Sequence, residues 1–461
     1  MSRLLLVSIL CLGCGKAAMG TGDDDPTGDG GLGDGGDGDG SMGDGSIVVP
    51  PPCTRMGLPS VAWPSTGLQP AASVVGDFNK DGKLDVAVAN SGAATASVVL
   101  NQGGGTYGTK ADYATGVTPV GITVGDFDTD GKLDLAVANS SSNTISVLLG
   151  NDDGTFQTKK DTTVGSLPYA LAVGDFNADT KQDLAVANSS GSNVSVLFGN
   201  GNGTFTRVDY AAGTTPRALM LDDVNGDTRA DIITANQSSS TVSILLGNAD
   251  GTFQAKLDYV TGTAPKGVAA ADFNADGKLD LVATSTSGAS VLLGNGNGTF
   301  NAKTDYLAGG TPFGVVARDL DGDGKRDLIV TNTSSNTVSV LSGNGNGTFA
   351  TKVDYTTGTT PQVLAMGDLN GDAMLDLVVP NRGSDTVTVL LGRPGGLFHT
   401  RDDFATADGP TDLAIGDFNA DGKQDIVAAD VNANTVSILI GNGNSTFQAK
   451  RDAGTGLAPS A

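Results

Sequence analysis

The chain has 461 residues, with 51 acidic against 27 basic side chains and a formal net charge of -24, although only 17% of its residues are charged. That balance argues against nucleic acid as a partner. With one His, no Glu and three Cys, zinc sites and Cys/His dyads are excluded. Every acid is Asp, which suits turns better than helix interiors, and together with 68 glycines and abundant Val, Thr, Ser and Asn it indicates an all-β chain with many tight turns.

In chain order, the first element is N-terminal. Arg3 precedes an apolar run from Leu4 to Leu12, then Gly13 and Cys14. The run is too short to cross a bilayer and long enough for a signal peptide, assigned to residues 1–14. Its end resembles a bacterial lipobox, with Cys11 where that motif usually has Leu, so Cys14 is the expected lipidation site. Ordinary secretion is the alternative. The chain is thus expected in the cell envelope or on the outer surface, meeting the membrane only through its lipid. Removal of Cys11 and acylation of Cys14 leave Cys53 as the single thiol, so no disulfide framework holds the fold and bound metal becomes a candidate stabiliser. Residues 15–55, rich in Gly and Asp, form a self-repelling tether.

From residue 56 to 461 the chain is repetitive. A nine-residue acidic stretch such as "DFNADGKLD" starts at Asp77, Asp126, Asp175, Asp223, Asp272, Asp319, Asp368 and Asp417, giving spacings of 49, 49, 48, 49, 47, 49 and 49. A unit carries four short strand signals. "GITV" at 121–124 leads into the acidic loop and "DLAVAN" at 134–139 leaves it; "ISVLLG" at 145–150 follows. The fourth, "FQAKLDY" at 253–259, alternates, with Phe253, Ala255, Leu257 and Tyr259 on one face and Lys guarding an open edge. It is expected to be outermost, whereas the apolar second and third strands are expected to be covered on both faces. Turns such as "GNGNGT" at 294–299 join the third and fourth strands as a hairpin. Four-stranded units that cannot stand alone predict a β-propeller, most simply of eight blades, with seven as the alternative. Residues 58–66 or 447–452 could close the ring.

The eight acidic loops, the "LAVAN"-like strands and the "GNGNGTF" turns, spanning about residues 70–453, resemble the FG-GAP or VCBS repeats, best known from the β-propeller of integrin α subunits. The resemblance implies a propeller, seven-bladed in integrins. It leaves function open, because the family spans adhesins, lectin-like proteins and accessory domains.

Positions 1, 3, 5 and 9 of the loops supply oxygen donors: Asp77, Asn79, Asp81 and Asp85; Asp126, Asp128, Asp130 and Asp134; Asp175, Asn177, Asp179 and Asp183; Asp223, Asn225, Asp227 and Asp231; Asp272, Asn274, Asp276 and Asp280; Asp319, Asp321, Asp323 and Asp327; Asp368, Asn370, Asp372 and Asp376; Asp417, Asn419, Asp421 and Asp425. The backbone carbonyl at position 7 completes each shell, from Lys83, Lys132, Lys181, Arg229, Lys278, Lys325, Met374 and Lys423. Closely spaced hard oxygens in irregular geometry suit Ca2+ better than Mg2+, with up to eight ions. The EF-hand is excluded, lacking Glu at position 12 and flanking helices, and the loop instead resembles the integrin-type calcium loop. Ion-free Asx-turns are the bland alternative. Position 6 requires a sharp, often left-handed turn, which glycine meets in five copies; Thr180, Thr228 and Ala373 predict weaker third, fourth and seventh sites. Asp128 and Asp321, in place of Asn, predict tighter second and sixth sites.

No catalytic residue is predicted. His399 falls at an outward position of a fourth strand, and the units vary too little in length to house an elaborated catalytic loop. Alternating strand direction places the acidic loops and "GNGNGT" turns on one face. The other face collects "NSSSNT" at 139–144 and crossovers such as "GTTP" at 213–216, short polar groups suited to carbohydrate or a protein loop. The expected role is therefore that of a monomeric surface adhesion or recognition module. A lyase-like polysaccharide-active enzyme is the second class and a structural envelope domain the third.

Overall fold

The structure, a computed structural model, describes residues 68–103, 106–419, 421–448 and 451–452; the expected signal peptide with Cys14, the tether and residues 58–66 lie outside these. Each repeat folds into one antiparallel sheet whose strands keep chain order. In the first blade they are Pro70–Gly76, Asp85–Asn90, Thr95–Val99 and Ala111–Ala114. Eight such four-stranded sheets follow one another, so the chain is an all-β, eight-bladed propeller. First strands of most successive blades contact one another around the centre, and the first blade's touches that of the eighth. Among the described residues no helix is long and apolar enough to cross a membrane.

Burial follows the sequence pattern. All six residues of the second strand Asp134–Asn139 are buried, because neighbouring blades cover both its faces. The apolar clusters therefore span blade junctions: Phe127, Ile145 and Val147 of the second blade pack with Leu171, Leu184 and Leu197 of the third. Rings reinforce these junctions. Phe156 of the second blade meets Phe78 and Tyr113 of the first edge-on, with centroids 5.5 Å and 5.3 Å apart.

The fourth strand departs from the expected alternation. In the fourth blade it runs only over Leu257–Val260, while Phe253 pairs with Gly247 in an isolated bridge. Leu257 lies opposite Ile244, so four steps on one side (253 to 257) match three on the other (247 to 244), a one-residue bulge. The bulge splits the predicted face. Phe253 enters the core shared with the third blade, Tyr259 packs on the one shared with the fifth, and Ala255 and Leu257 are exposed. In the third blade, Phe205–Ala211 pairs without a shift, which accounts for that unit being 48 residues long.

Ring closure needs no shared strand. Phe447 bridges Gly441 and Arg451–Asp452 pairs with the third strand of the eighth blade, so this end of the chain completes that blade. The seam is a side-to-side contact in which Val86, Val88 and Tyr107 pack against Phe418, Val427 and Ile438. Across it Ser73 N donates to Asp412 Oδ2 (2.8 Å), Gln69 N to Asn434 Oδ1 (2.7 Å), and Asn101 Nδ2 to the Phe418 carbonyl.

Within six of the blades, the first to fourth, the sixth and the seventh, a polar relay ties three strands together. In the first, Asn90 Nδ2 donates to Ser97 Oγ (2.8 Å), Ser97 Oγ to Asp112 Oδ1 (2.6 Å), and Lys110 Nζ pairs with Asp112 (2.5 Å). The relay occupies the Asp of the outer strand, which otherwise reads as an ordinary surface charge.

Candidate metal centres

The acidic loop joins the first and second strands. In the first copy, Asp77 accepts from Asp81 N (3.0 Å) and Gly82 N (2.8 Å), Asn79 Oδ1 accepts from Asp81 N (3.1 Å), and Asp81 accepts from Lys83 N (3.0 Å). Side chains at positions 1, 3 and 5 thus fold the loop back on its own N–H groups, the geometry of Asx-turns. Two positions are left-handed, not one. Position 6 has φ near +80° in Gly82, Gly131 and Gly277, and remains left-handed in Thr180 (+71°), Thr228 (+69°) and Ala373 (+65°). Position 4 is left-handed as well, in Lys80, Thr129, Ala178 and Ala275 and, as glycine, in Gly226, Gly322 and Gly371. The fourth and seventh loops thus move their glycine from position 6 to position 4, the sixth has glycine at both, and the third has it at neither.

Position 9 has a role that spacing alone did not disclose. Asp85 is fully buried; its Oδ2 accepts from Phe78 N (2.9 Å) and its Oδ1 from Asn101 N in the hairpin between the third and fourth strands (2.8 Å). Asp134 does the same with Phe127 N (2.8 Å) and Gly150 N (2.7 Å). The position-2 carbonyl then accepts from the next blade, as Phe78 O does from Gly154 N (3.1 Å) and Phe127 O from Gly203 N (2.9 Å). Each loop therefore ties down its own hairpin, and the first, second, fifth and eighth also hold the next blade's hairpin. Burial pushes these carboxyls up, Asp85, Asp183 and Asp425 to about 6 and Asp134 and Asp231 to about 7, against the lowering by their N–H donors; Asp280, Asp327 and Asp376 are raised for the same reason.

At position 7, where the sequence predicts a carbonyl donor, the structure places a charged side chain beside the loop. Lys83, Lys132 and Lys325 pair with the position-5 carboxylates Asp81, Asp130 and Asp323 at 2.8, 2.6 and 2.6 Å, and Arg229 pairs likewise with Asp227. The lysine's hydrogen bond holds Asp81, Asp130 and Asp323 below the usual carboxylate range. Met374 leaves the seventh loop without such a cation.

The donors fit a hard cation best where the sequence has an extra acid. In the second loop Asp126, Asp128 and Asp130 each place a carboxylate oxygen within 4.8 Å of the others, as do Asp319, Asp321 and Asp327 in the sixth. Asp128 Oδ1 is buried with no hydrogen-bond partner, and burial, followed by the neighbouring Asp130 charge, raises its carboxyl. A desolvated, unpartnered carboxylate oxygen among like charges costs free energy that a cation relieves. His399 is exposed on the outer strand of the seventh blade, as expected.

On the opposite end, the polar turns largely bond to one another. Ser141 Oγ donates to Thr118 Oγ1 (2.8 Å), Thr215 and Ser238 hydroxyls lie 2.7 Å apart, and Ser334 Oγ donates to Thr311 Oγ1 (2.5 Å).

FG-GAP-like repeat models match residues 77–137, 126–186, 223–283, 272–330 and 319–379, and an FG-GAP repeat model matches 167–206; together these cover more than half of the chain. No curated protein matches. Among solved structures, the chain resembles a dihydro-heme d1 dehydrogenase, NirN, in complex with DHE (13% identity, 86% of this chain and 75% of that one, TM-score 0.55). It also resembles an Agrocybe aegerita lectin that recognises non-reducing terminal N-acetylglucosamine (19%, 80% and 97%, 0.48) and the Vibrio cholerae biofilm matrix protein Bap1 (12%, 85% and 88%, 0.48). At these identities the likeness concerns the fold. The chain belongs to the FG-GAP repeat family.

Proposed function

We propose that the chain is an exported, calcium-binding propeller that acts as a surface recognition module for a protein or carbohydrate. The observation that carries the calcium assignment is the buried, unpartnered Asp128 Oδ1 within a group of three carboxylates. In each loop the side chains at positions 1, 3 and 5, the carbonyl at 7 and the carboxylate at 9 would hold the ion, which supplies the positive charge these acids lack. The sixth loop binds most tightly, with a third acid and two glycines at its left-handed positions, and the second follows. The third binds most weakly, because Ala178 and Thr180 both bear the left-handed cost; the fourth and seventh rank above it through Gly226 and Gly371.

Recognition falls to the end opposite the acidic loops, since the loops are engaged in holding hairpins and blades. The N-terminal apolar run from Leu4 to Leu12, followed by Gly13 and Cys14, supports export and lipid anchoring. The proposal assigns no catalytic group. A glycan array and a panel of purified envelope proteins, each screened in calcium and in EGTA with a lyase assay alongside, test it. Calcium-dependent binding without turnover is expected; turnover, or binding to neither panel, contradicts it.

A further inference from the structure

Aligning the eight units on the proline that opens each first strand reveals a variable column directly after it: Ala71, Val120, Tyr169, Arg217, Lys266, Phe313, Gln362 and Thr411. First strands run toward the acidic loops, so this column rings the central channel at the opposite end. In the third and fourth blades the column residue is the extra residue of a bulge. Pairing passes from Pro168↔Asn188 to Ala170↔Ala187 and from Pro216↔Asn236 to Ala218↔Ala235, skipping Tyr169 and Arg217. Bulges of this kind re-aim a side chain.

Four consecutive members build a cavity of about 240 Å³, with Tyr169, Arg217, Lys266 and Phe313 against an apolar floor that includes Val315 and Leu364. The Arg217 guanidinium lies 4.6 Å from the Tyr169 ring centroid and Lys266 Nζ 5.5 Å from that of Phe313. Arg217 Nε donates to Gln237 Oε1 (3.1 Å). Among the described residues neither cation has a carboxylate partner, in a chain of net charge -24 in which most other Lys and Arg residues are ion-paired. Two like charges on adjacent blades in a half-buried cavity repel. Burial, followed by the Arg217 charge, holds Lys266 below the ordinary lysine range.

We propose that this channel mouth binds a compact, ring-shaped carboxylate of the acidic-sugar class, with Arg217 and Lys266 pairing its charge and the apolar walls covering its C–H faces. The guanidinium fork matches a carboxylate bidentately. The cavity lies just below the roughly 300 Å³ at which drug-sized pockets begin, which favours a single sugar ring. An inorganic anion would leave the apolar walls uncovered. The inference rests on the proposed recognition role and names its ligand class.

The test is calorimetry on the full chain in calcium, with glucuronic acid, an oligogalacturonate, neutral glucose and inorganic phosphate as probes. Lys266→Met and Arg217→Met keep apolar stems in place, and Thr411→Ala on the far side of the ring serves as control; melting temperatures verify folding. Binding of the two acidic sugars is expected, weakened at least tenfold by either Met variant and by added salt but not by Thr411→Ala. A ratio favouring the oligomer identifies a polymer unit as the source, and parity identifies the free sugar. Phosphate binding as tightly as glucuronic acid, or binding indifferent to both Met variants, overturns the assignment. If neutral glycans or an envelope protein bind regardless of Lys266, the ligand class falls and the recognition role stands; if no probe, glycan or protein binds, both fall.

Discussion

Asp412 of the eighth blade accepts both the backbone N–H (2.8 Å) and the hydroxyl (3.1 Å) of Ser73 in the first blade, through a single carboxylate oxygen. The contact joins the first and last blades across the seam, and both residues are buried. Burial raises the Asp412 carboxyl to about 7.

The sign of the resulting pH dependence follows from linkage. A carboxyl whose folded pKa exceeds its unfolded value binds more protons in the folded state, so its contribution to stability rises as pH falls from about 7 toward about 4. Asp412→Asn keeps an acceptor for Ser73 and removes the charge. Chemical denaturation is expected to show the variant more stable than the parent at pH 8, with the difference gone near pH 4. A difference constant with pH contradicts a raised carboxyl.

Junction rings are expected to dominate stability. Phe156 contacts Phe78 and Tyr113 of the preceding blade. Phe156→Ala should cost about 3–5 kcal/mol in denaturant titration. Leu307→Ala, on an outer strand and 76% exposed, should stay within about 0.5 kcal/mol.

Backbone strain should rank the loops. Thr180 adopts φ +71°, a conformation costing a non-glycine residue roughly 1–2 kcal/mol. Thr180→Gly is expected to raise stability by about 1 kcal/mol and to tighten calcium binding at the third loop. Gly322→Ala, where no atom lies within 4 Å of the added carbon, should act in the opposite sense through the backbone alone. Calorimetric calcium titrations of both variants check the pair.

Much of this was legible in the sequence because the chain repeats itself. A period near 49 with four strand signals per unit suffices for blades, and eight copies for eight blades. Oxygen donors at fixed spacing suffice to nominate the loops. The bulge between Phe253 and Leu257 was not legible, because alternation over seven residues looks continuous until the partner strand is known. Nor was the double acceptance by Asp85, whose second donor, Asn101, lies 16 residues on and is brought close by the hairpin. The channel column could have been read. Among near-identical units, a position running from Ala71 through Arg217 to Thr411 without a common chemistry is itself a signal, and it is visible once the units are aligned on their prolines.

The most direct test of the account is thermal melting at pH 7.5 in millimolar calcium and in excess EGTA, repeated at pH 5. A site held at 100 times its Kd contributes about 2.7 kcal/mol, so several occupied loops should separate the two melts widely. Protons compete for the same carboxylates, with Asp134 and Asp231 raised to about 7, so the separation should shrink at pH 5. Coincident melts in calcium and EGTA at pH 7.5 would contradict the claim that these loops are metal sites.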